Sequence, residues 1–319
     1  IQSLFEVENE VVEVGTFSHP EKDKIYTQIK SERLKKGLIG IKLRFPYPTG
    51  NHVDDASDWN SGDKHQTEII NLTPNSAIFQ RTIDSTMYFA KLDWTGEADL
   101  VEKQSHYFVL QPKATTSQIS VSIEFNLQNN FDVDFNYQQV KILVATTWEN
   151  YWNTGGVIDF SKTADPRAFE LERRVILSQY LTRIQCAGNF PPQETGLTFN
   201  SWYGKFHMEM HWWHAAHWAL WNRIELLKKS LNYYTDIFDK AKQKAEIQGY
   251  QGVRWPKMTG NSGNDSPSGV GEFLIWQQPH IIYFAEQCYQ GDLNKNTLEK
   301  YADLVFATAD FMADFARWD

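Results

Sequence analysis

The stretch Phe206–Trp218, FHMEMHWWHAAHW, decides the interpretation of the fold, because it holds four of the nine histidines and three of the twelve tryptophans. On a helix, His207, His211 and His214 are four and three residues apart and share one face. Glu209 points elsewhere unless the helix begins after Glu209. Fixed imidazole and carboxylate groups beside tryptophan rings can bind sugar hydroxyls and stack on sugar rings. The stretch therefore predicts a sugar-binding helix.

Two alternatives stay open for these histidines. Histidines four residues apart on a helix can ligate zinc. However, the HExxH pattern is absent, and Glu209 does not occupy the position of its catalytic glutamate. The other alternative is an aromatic core in which each imidazole is satisfied by neighbouring polar groups. We predict sugar binding, with neither a metal nor a cofactor.

Helical patterns extend outward from this stretch. Apolar residues recur with a helical period over 167–186, with Pro166 in the first turn and Gly188 as the stop. Further helices are predicted at 211–231, 235–248, 278–290 and 294–317. The long connecting segments, 189–206 and 250–271, are rich in turn residues, and loops of such length are usually functional or disordered. The residues predicted to bind sugar are Trp202, His207, Glu209, His211, Trp255, Lys257, Trp276, Gln277, Gln278 and His280.

The preceding half of the chain predicts β structure. Short β-rich runs at 40–45, 87–92, 106–110, 119–125 and 140–145 are separated by turn residues, as in an antiparallel sandwich. We predict a β-sandwich domain over 1–155, a linker with the first helix over 156–188, and a helical domain over 189–319. Nothing in the sandwich half predicts catalysis, so its expected role is structural support.

Composition narrows the class of ligand. The net charge of −9 disfavours nucleic acid, and the sequence contains no run of about 18 apolar residues that predicts a membrane span. Seven of the twelve tryptophans fall between Trp202 and Trp276, which favours a carbohydrate partner. Two cysteines are too few for a disulfide framework. Ile1 is consistent with a cleaved signal peptide or a removed tag, and we expect a periplasmic or secreted location, as is usual for proteins that degrade glycans.

Taken in order, three segments resemble the glycoside hydrolase clan that contains the glucoamylases, the disaccharide phosphorylases of family 65 and their hydrolytic relatives. Residues 189–210, NFPPQETGLTFNSWYGKFHMEM, resemble a loop that leads into the family's Trp-Asp-Thr-Glu segment. Glu209 falls on that glutamate, while His207 stands where the aspartate would be. Gly252–Pro256, GVRWP, resembles the family's Gly-Ala-Arg-Tyr-Pro segment, and Trp276–Glu286, WQQPHIIYFAE, resembles the helix that follows it.

The resemblance implies a β-sandwich followed by the first part of an (α/α)6 barrel. It implies an inverting glycoside hydrolase whose general acid and base lie beyond Asp319, so that this chain binds and orients the sugar. The family's aspartate binds sugar in the cleavage subsite, so the histidine at position 207 leaves the sugar identity open. We expect a missing C-terminal part of the barrel to complete the fold. The alternatives are a non-catalytic carbohydrate-binding protein, a disaccharide phosphorylase, and a metal-dependent lyase or hydrolase.

Overall fold

The structure, a computed structural model, describes residues 1–131, 136–195 and 199–316. The chain divides into two units. The sandwich unit comprises Ile1–Thr49 and Ser57–Asn153, and the helical unit comprises Gly50–Ala56 and Thr154–Asp319. A short segment from the first half of the sequence thus belongs to the helical unit. In the described ranges, no helix has the length and apolarity to cross a membrane.

Strands and helices follow the order β then α. The strands are β1 Gln2–Val7, β2 Glu10–Ser18, β3 Lys24–Lys30, β4 Ile41–Arg44, β5 Val53–Asp54, β6 His65–Thr73, β7 Ser76–Ile83, β8 Thr86–Trp94, β9 Ala98–Gln104, β10 Tyr107–Pro112, β11 Gln118–Asn126, β12 Asn200–Ser201, β13 Phe206–His207 and β14 Met258–Thr259. The helices are α1 Tyr137–Asn153, α2 Ala168–Cys186, α3 Met208–Ala215, α4 His217–Leu220, α5 Ile224–Asp236, α6 Phe238–Ile247, α7 His280–Gly291 and α8 Lys295–Phe315.

The sandwich unit contains two antiparallel sheets that share one core. The larger sheet has the order β1-β2-β3-β11-β8-β7-β6, and the smaller has the order β4-β10-β9. Burial alternates along β7 and β10 because one face of each strand packs inward. Phe79 of β7 contributes to the core from the larger sheet, and Phe108 of β10 contributes from the smaller. Each is 0% exposed, and burying such a side chain stabilises the fold by roughly 1.5–3 kcal/mol. The predicted β-sandwich is confirmed.

The strand predicted at 140–145 is wrong, because these residues lie within α1. The run VKILVA is rich in β-branched residues, but β propensity depends strongly on the tertiary contacts that surround a segment. Tyr137, in the first turn of α1, packs its ring 4.9 Å from that of Phe17, and its hydroxyl donates a hydrogen bond to the carbonyl of Gly15 (3.4 Å). These contacts anchor a helix against β2.

The helical unit confirms most of the predicted helices but divides one of them. The predicted helix at 211–231 is three helices, α3, α4 and α5, and the left-handed backbone of Asn222 (φ 54°) lies between α4 and α5. Apolar faces of α5 and α7 pack together through buried residues such as Leu227 and Phe284. The N-terminus of α8 is capped by Asn294, whose side-chain oxygen accepts a hydrogen bond from the backbone N–H of Thr297 (2.9 Å).

Two helices of this unit carry large apolar side chains at the surface. On α2, Leu171 and Leu181 are exposed, and on α8, Phe306 is 69% exposed. A groove between α7 and α8 is lined by Ala285, Val305, Phe306 and their neighbours. Contiguous exposed apolar surface of this kind usually marks a site of interaction with other polypeptide.

Candidate functional site

A short two-stranded ladder places the predicted residues of the helical unit side by side. β13 pairs with β14, with Phe206 opposite Thr259 and His207 opposite Met258. The backbone N–H of Met208 then donates to the carbonyl of Lys257 (2.9 Å), and α3 begins. His207 is therefore extended, and the helix starts after it. Glu209 lies in the first turn of α3, and the extended backbone of His207 allows the two side chains to approach each other.

These two segments and the preceding loop form a cluster of four titratable side chains. Nδ1 of His207 lies 3.5 Å from Oε2 of Glu194 and 3.5 Å from Oε1 of Glu209. Nζ of Lys257 lies 3.0 Å from the same Oε1 of Glu209. The His207 side chain is 0% exposed, and its Nε2 has no hydrogen-bond partner in the described part of the chain. The Oε2 atom of Glu209 is also buried without a hydrogen-bond partner among the described residues. A buried polar group without a partner costs roughly 1–3 kcal/mol, so this cluster is a candidate binding site.

The electrostatics of the cluster leave His207 neutral. Burial, and after it the charge of Lys257, lowers the pKa of His207 to about 4, although Glu209 raises it. Loss of water raises the pKa of Glu194; Glu209 also raises it, while Lys257 and His52 lower it. At neutral pH the four groups comprise one ammonium ion, one neutral imidazole and two carboxylates. The cluster therefore carries one surplus negative charge.

A strained turn holds Trp202 beside the cluster. Trp202, Tyr203 and Gly204 adopt left-handed backbone conformations in succession, with φ of 49°, 60° and 61°. For a residue other than glycine this costs about 1–2 kcal/mol, and such strain concentrates at functional sites. The Lys257 ammonium lies 4.6 Å from the centroid of the Trp202 ring, a cation–π contact on one side of the indole.

The segment Gly50–Ala56 packs on the other side of this turn. β5 pairs with β12, and the backbone N–H of Tyr203 donates to the carbonyl of His52 (3.1 Å). The imidazole of His52 is 4.5 Å from the Trp202 ring, edge to face. No pattern in the sequence links His52 to a segment some 150 residues later, so sequence reasoning missed it. Glu194, in contrast, was visible as a loop carboxylate, but an isolated loop carboxylate is usually just solvated.

Three further predicted residues lie in the core around Trp255. The Trp255 side chain is 0% exposed, and its Nε1 donates to Oγ1 of Thr308 (2.9 Å). Gln278 accepts a hydrogen bond from the Trp255 backbone N–H (3.0 Å) and donates one to its carbonyl (2.9 Å). Gln277 also donates to that carbonyl (3.0 Å), although its Oε1 has no partner among the described residues. These contacts fix the 253–259 segment that carries Lys257. Direct contact of these residues with sugar stays a prediction.

His211 and His280 are also held by protein groups. Nε2 of His211 is 2.9 Å from the Ser230 hydroxyl, and Nδ1 is 3.3 Å from the Tyr234 hydroxyl. Burial lowers the pKa of His211 to about 3. Nδ1 of His280 donates to the carbonyl of Met208 (3.0 Å) at the start of α3. Trp276 differs from all of these, since it is 61% exposed. The structure thus brings Trp202, His207, Glu209 and Lys257 together, while His211 and Trp255 support them from the core.

A search for metal sites is relevant because zinc was one interpretation of the histidines. Among residues 1–131, 136–195 and 199–316 there is no grouping of three or more histidine, cysteine, aspartate or glutamate side chains placed to hold a metal ion. His207 and His211 illustrate the reason. The imidazole of the first lies between two carboxylates, while that of the second is directed at two hydroxyl groups.

Solved structures share this arrangement of sheets and helices. A protein from the human microbiome that carries the name kojibiose phosphorylase matches 100% of this chain with a TM-score of 0.61 at 10% sequence identity. A bacterial glucoamylase, solved in complex with acarbose, matches 97% of the chain with a TM-score of 0.50 at 13% identity. The fold is that of the six-hairpin glycosidases. The likeness to the (α/α)6-barrel clan is therefore confirmed at the level of fold.

The matches cover less than half of each neighbour's chain, and their sequence identity is low. The chain spans 45% of the first structure's chain and 46% of the second's. Neither a protein-family model nor a curated protein sequence matches it. At such low identity the shared feature is the fold, which hosts more than one reaction. The two solved structures carry the names of carbohydrate-active enzymes, and the reaction of this chain must be argued from its own site.

Proposed function

We propose that this chain supplies the sugar-binding groups of a glycoside hydrolase that cleaves with inversion, and that polypeptide outside the chain supplies the general acid and base. The observation that carries the proposal is the cluster of Glu194, His207, Glu209 and Lys257, with buried polar atoms that have no protein partner. A sugar hydroxyl can both donate and accept, so it can satisfy such atoms.

Each member of the cluster has a distinct role in this proposal. Glu209 accepts hydrogen bonds from sugar hydroxyls, and such bonds to a charged group contribute about 1.5–3 kcal/mol. Lys257 holds the Glu209 carboxylate in place through their 3.0 Å ion pair. His207 holds the two carboxylates on either side of its Nδ1. Trp202 forms an aromatic wall, with its turn conformation set before the ligand arrives.

Cleavage then follows the inverting scheme. A carboxylic acid protonates the leaving oxygen, while a carboxylate activates water on the opposite face of the sugar. The two carboxyl groups stand roughly 6.5–9.5 Å apart to admit that water. Groups in this chain orient the sugar for the reaction, and correct positioning can contribute several kcal/mol to lowering a barrier, of the order of 7 kcal/mol or more in favourable cases.

A phosphorylase is the second candidate, because one structural neighbour carries that name. The surplus negative charge of the cluster favours water over phosphate as the attacking group, since an anion entering this region meets repulsion. The groove between α7 and α8 supports the other part of the proposal, that further helical polypeptide packs against this chain.

The proposal is tested by product analysis with the 319-residue chain alone and with the longest polypeptide that contains it. Proton NMR on maltose, kojibiose and cellobiose reports both turnover and the anomer released, with and without inorganic phosphate. We expect turnover by the longer polypeptide only, without phosphate, and a product of inverted configuration. Glu209→Gln should lower kcat/KM by about 100-fold, the effect of losing one charged hydrogen bond.

The matched control is Glu225→Gln on the surface of α5, where the carboxylate pairs with Lys228 (2.7 Å) and activity should not change. Retention of configuration, or full activity of the Glu209 variant, would show that the proposed function is wrong. Strict dependence on phosphate would establish the phosphorylase instead.

A further inference from the structure

Glu194 is the most exposed side chain of the cluster. Its side chain is 29% exposed, compared with 15% for Glu209, 6% for Lys257 and 0% for His207. Of the four groups, the Glu194 carboxylate is therefore the one most accessible to a ligand in solution.

The loop that carries Glu194 is fixed in place on both sides. Nε2 of His214, on α3, donates a hydrogen bond to the Glu194 carbonyl (3.2 Å). The neighbouring Gln193 forms an antiparallel bridge with Phe206, the residue before His207. On the other side of Glu194, the Thr195 hydroxyl donates to the carbonyl of Phe199 (2.5 Å). The carboxylate is consequently presented from an ordered backbone and does not need to be organised by the ligand.

His207 couples Glu194 to Glu209 without neutralising either. An oxygen of each carboxylate lies 3.5 Å from Nδ1 of His207, and the imidazole between them carries no net charge. Neither Nδ1 nor Nε2 of this buried ring has a hydrogen-bond partner in the described ranges, so the protein groups described do not complete this network by themselves.

The charge of Glu194 is less fully compensated than that of Glu209. The ammonium of Lys257 forms its ion pair with Glu209, at 3.0 Å, and acts on Glu194 only at longer range, as does His52. In the part of the chain that the structure describes, no lysine or arginine forms an ion pair with Glu194, whose close partner is the neutral His207. A partly exposed carboxylate in a cluster with one surplus negative charge repels anions and attracts cations.

We propose that Glu194 is a ligand-binding carboxylate of this site and that it restricts the site to uncharged and positively charged sugars. This inference rests on the proposed function, since it names the class of sugar that the site accepts. Neutral hexoses and amino sugars fit, because their hydroxyl or ammonium groups donate hydrogen bonds to Glu194. Uronic acids and other anionic sugars are excluded, because a second negative charge a few ångströms away in a partly solvated site lowers affinity by about tenfold or more.

Charge selectivity is the direct test. Isothermal titration of the protein with D-glucose, D-glucosamine and D-glucuronate gives three dissociation constants for wild type and for each variant. In wild type, glucuronate should bind at least about tenfold more weakly than glucose, and glucosamine at least as tightly as glucose. Glu194→Gln, which keeps the shape of the side chain, should bring the glucose and glucuronate constants within about threefold of each other.

Two further variants separate charge from loss of structure. Glu194→Asp keeps the charge and should keep the rejection of glucuronate, even if all three sugars bind more weakly. Glu225→Gln changes an exposed glutamate that pairs with Lys228 (2.7 Å) on α5, and it should leave the selectivity unchanged. Circular dichroism of each variant confirms that it is folded.

The outcomes distinguish this inference from the function on which it rests. If sugars bind but Glu194→Gln leaves the selectivity unchanged, or if glucuronate binds wild type as well as glucose does, the role of Glu194 is wrong while sugar binding stands. If none of the three sugars binds any form of the protein, the proposed function fails, and the inference fails with it.

Discussion

Each unit of the molecule contains a buried cluster of lysine and carboxylate side chains. The two clusters differ in their charge balance and in the regularity of the backbone that carries them. In the sandwich unit, Nζ of Lys24 lies 3.0 Å from Glu124 and 3.8 Å from Asp93, and Nζ of Lys91 lies 3.2 Å from Asp93. Two positive charges thus face two negative charges. All four side chains project from regular strands, β3, β8 and β11, which pair through continuous ladders.

The cluster in the helical unit is neither balanced nor regular. Lys257 faces two carboxylates, and the imidazole between those carboxylates is neutral. Its supports are a loop, a two-residue ladder and a turn with consecutive left-handed residues. A protein that needed only stability would pair the charges and relax the turn. One carboxylate oxygen of Asp93 and one of Glu124 also have no hydrogen-bond partner among the described residues, so unpartnered atoms do not distinguish the clusters. The contrast lies in charge balance and in the backbone around each cluster, which is regular in the sandwich unit and strained in the helical unit.

Breaking the sandwich cluster should have the largest effect on stability. Lys24→Met leaves Glu124 buried without its closest cation, and removing one partner of a buried ion pair typically costs about 3–5 kcal/mol. Urea unfolding, followed together with hydrogen exchange in β3, β8 and β11, measures this loss. The control is Lys113→Met, whose 3.5 Å pair with Asp99 is exposed and should contribute less than about 1 kcal/mol. Equal, small effects of both substitutions would remove the distinction drawn between the clusters.

The pH dependence of the free energy of unfolding tests whether His207 is buried in its neutral form. Because its pKa falls from 6.5 to about 4 on folding, the unfolded chain takes up a proton in this interval and the folded chain does not. The stabilisation is therefore complete above about pH 6.5 and is lost as the pH falls toward 4, by up to ~3 kcal/mol. Urea midpoints measured from pH 7 to pH 4 should fall less steeply for His207→Gln than for wild type.

A counterpart exists for this measurement in the other unit. In the sandwich unit, burial and then Arg81 lower the pKa of His65 to about 4, so His65→Gln should flatten the slope as well. If the wild-type midpoint is constant over this range, neither histidine is buried in its neutral form as the structure has it.

The sequence predicts the secondary structure of the two halves well because apolar residues follow one dominant period in each, two residues in the strands and about 3.6 in the helices. Alternating burial along β7 and β10, and the helical period of α2, α7 and α8, are local patterns that follow from which face packs inward. The run at 140–145 misleads because its local β propensity is overridden by the contact of Tyr137 with Phe17.

The site is only partly visible in the sequence, for a physical reason. Residues His207 and Glu209 are recognisable because they are close in sequence and chemically distinctive. The approach of Glu194 to His207, and of His52 to Trp202, depends on how loops return to the helical unit, and no periodicity encodes that. Trp255 shows a different limit, since its sequence context does not reveal that it is buried in the core, and its contact with sugar stays a prediction.

The smallest predicted effect concerns the strained turn at Trp202–Gly204, beside the cluster in the helical unit. Tyr203 has a φ of 60°, a conformation that glycine adopts without steric cost. Tyr203→Gly should therefore raise the free energy of unfolding by up to about 1 kcal/mol, offset in part by the lost ring contact with His52 at 5.3 Å. The converse substitution is Gly204→Ala, where φ is 61° and a new Cβ would lie 2.7 Å from Oδ1 of Asn200, so this variant should be less stable than wild type. Thermal unfolding of both variants shows whether each is more or less stable than wild type.

A stabilised Tyr203→Gly protein that binds sugar more weakly would mean that the turn holds Trp202 in place at the expense of stability. A destabilised one would mean that the conformation of the turn is not strained, and the difference between the two clusters would then rest on charge alone.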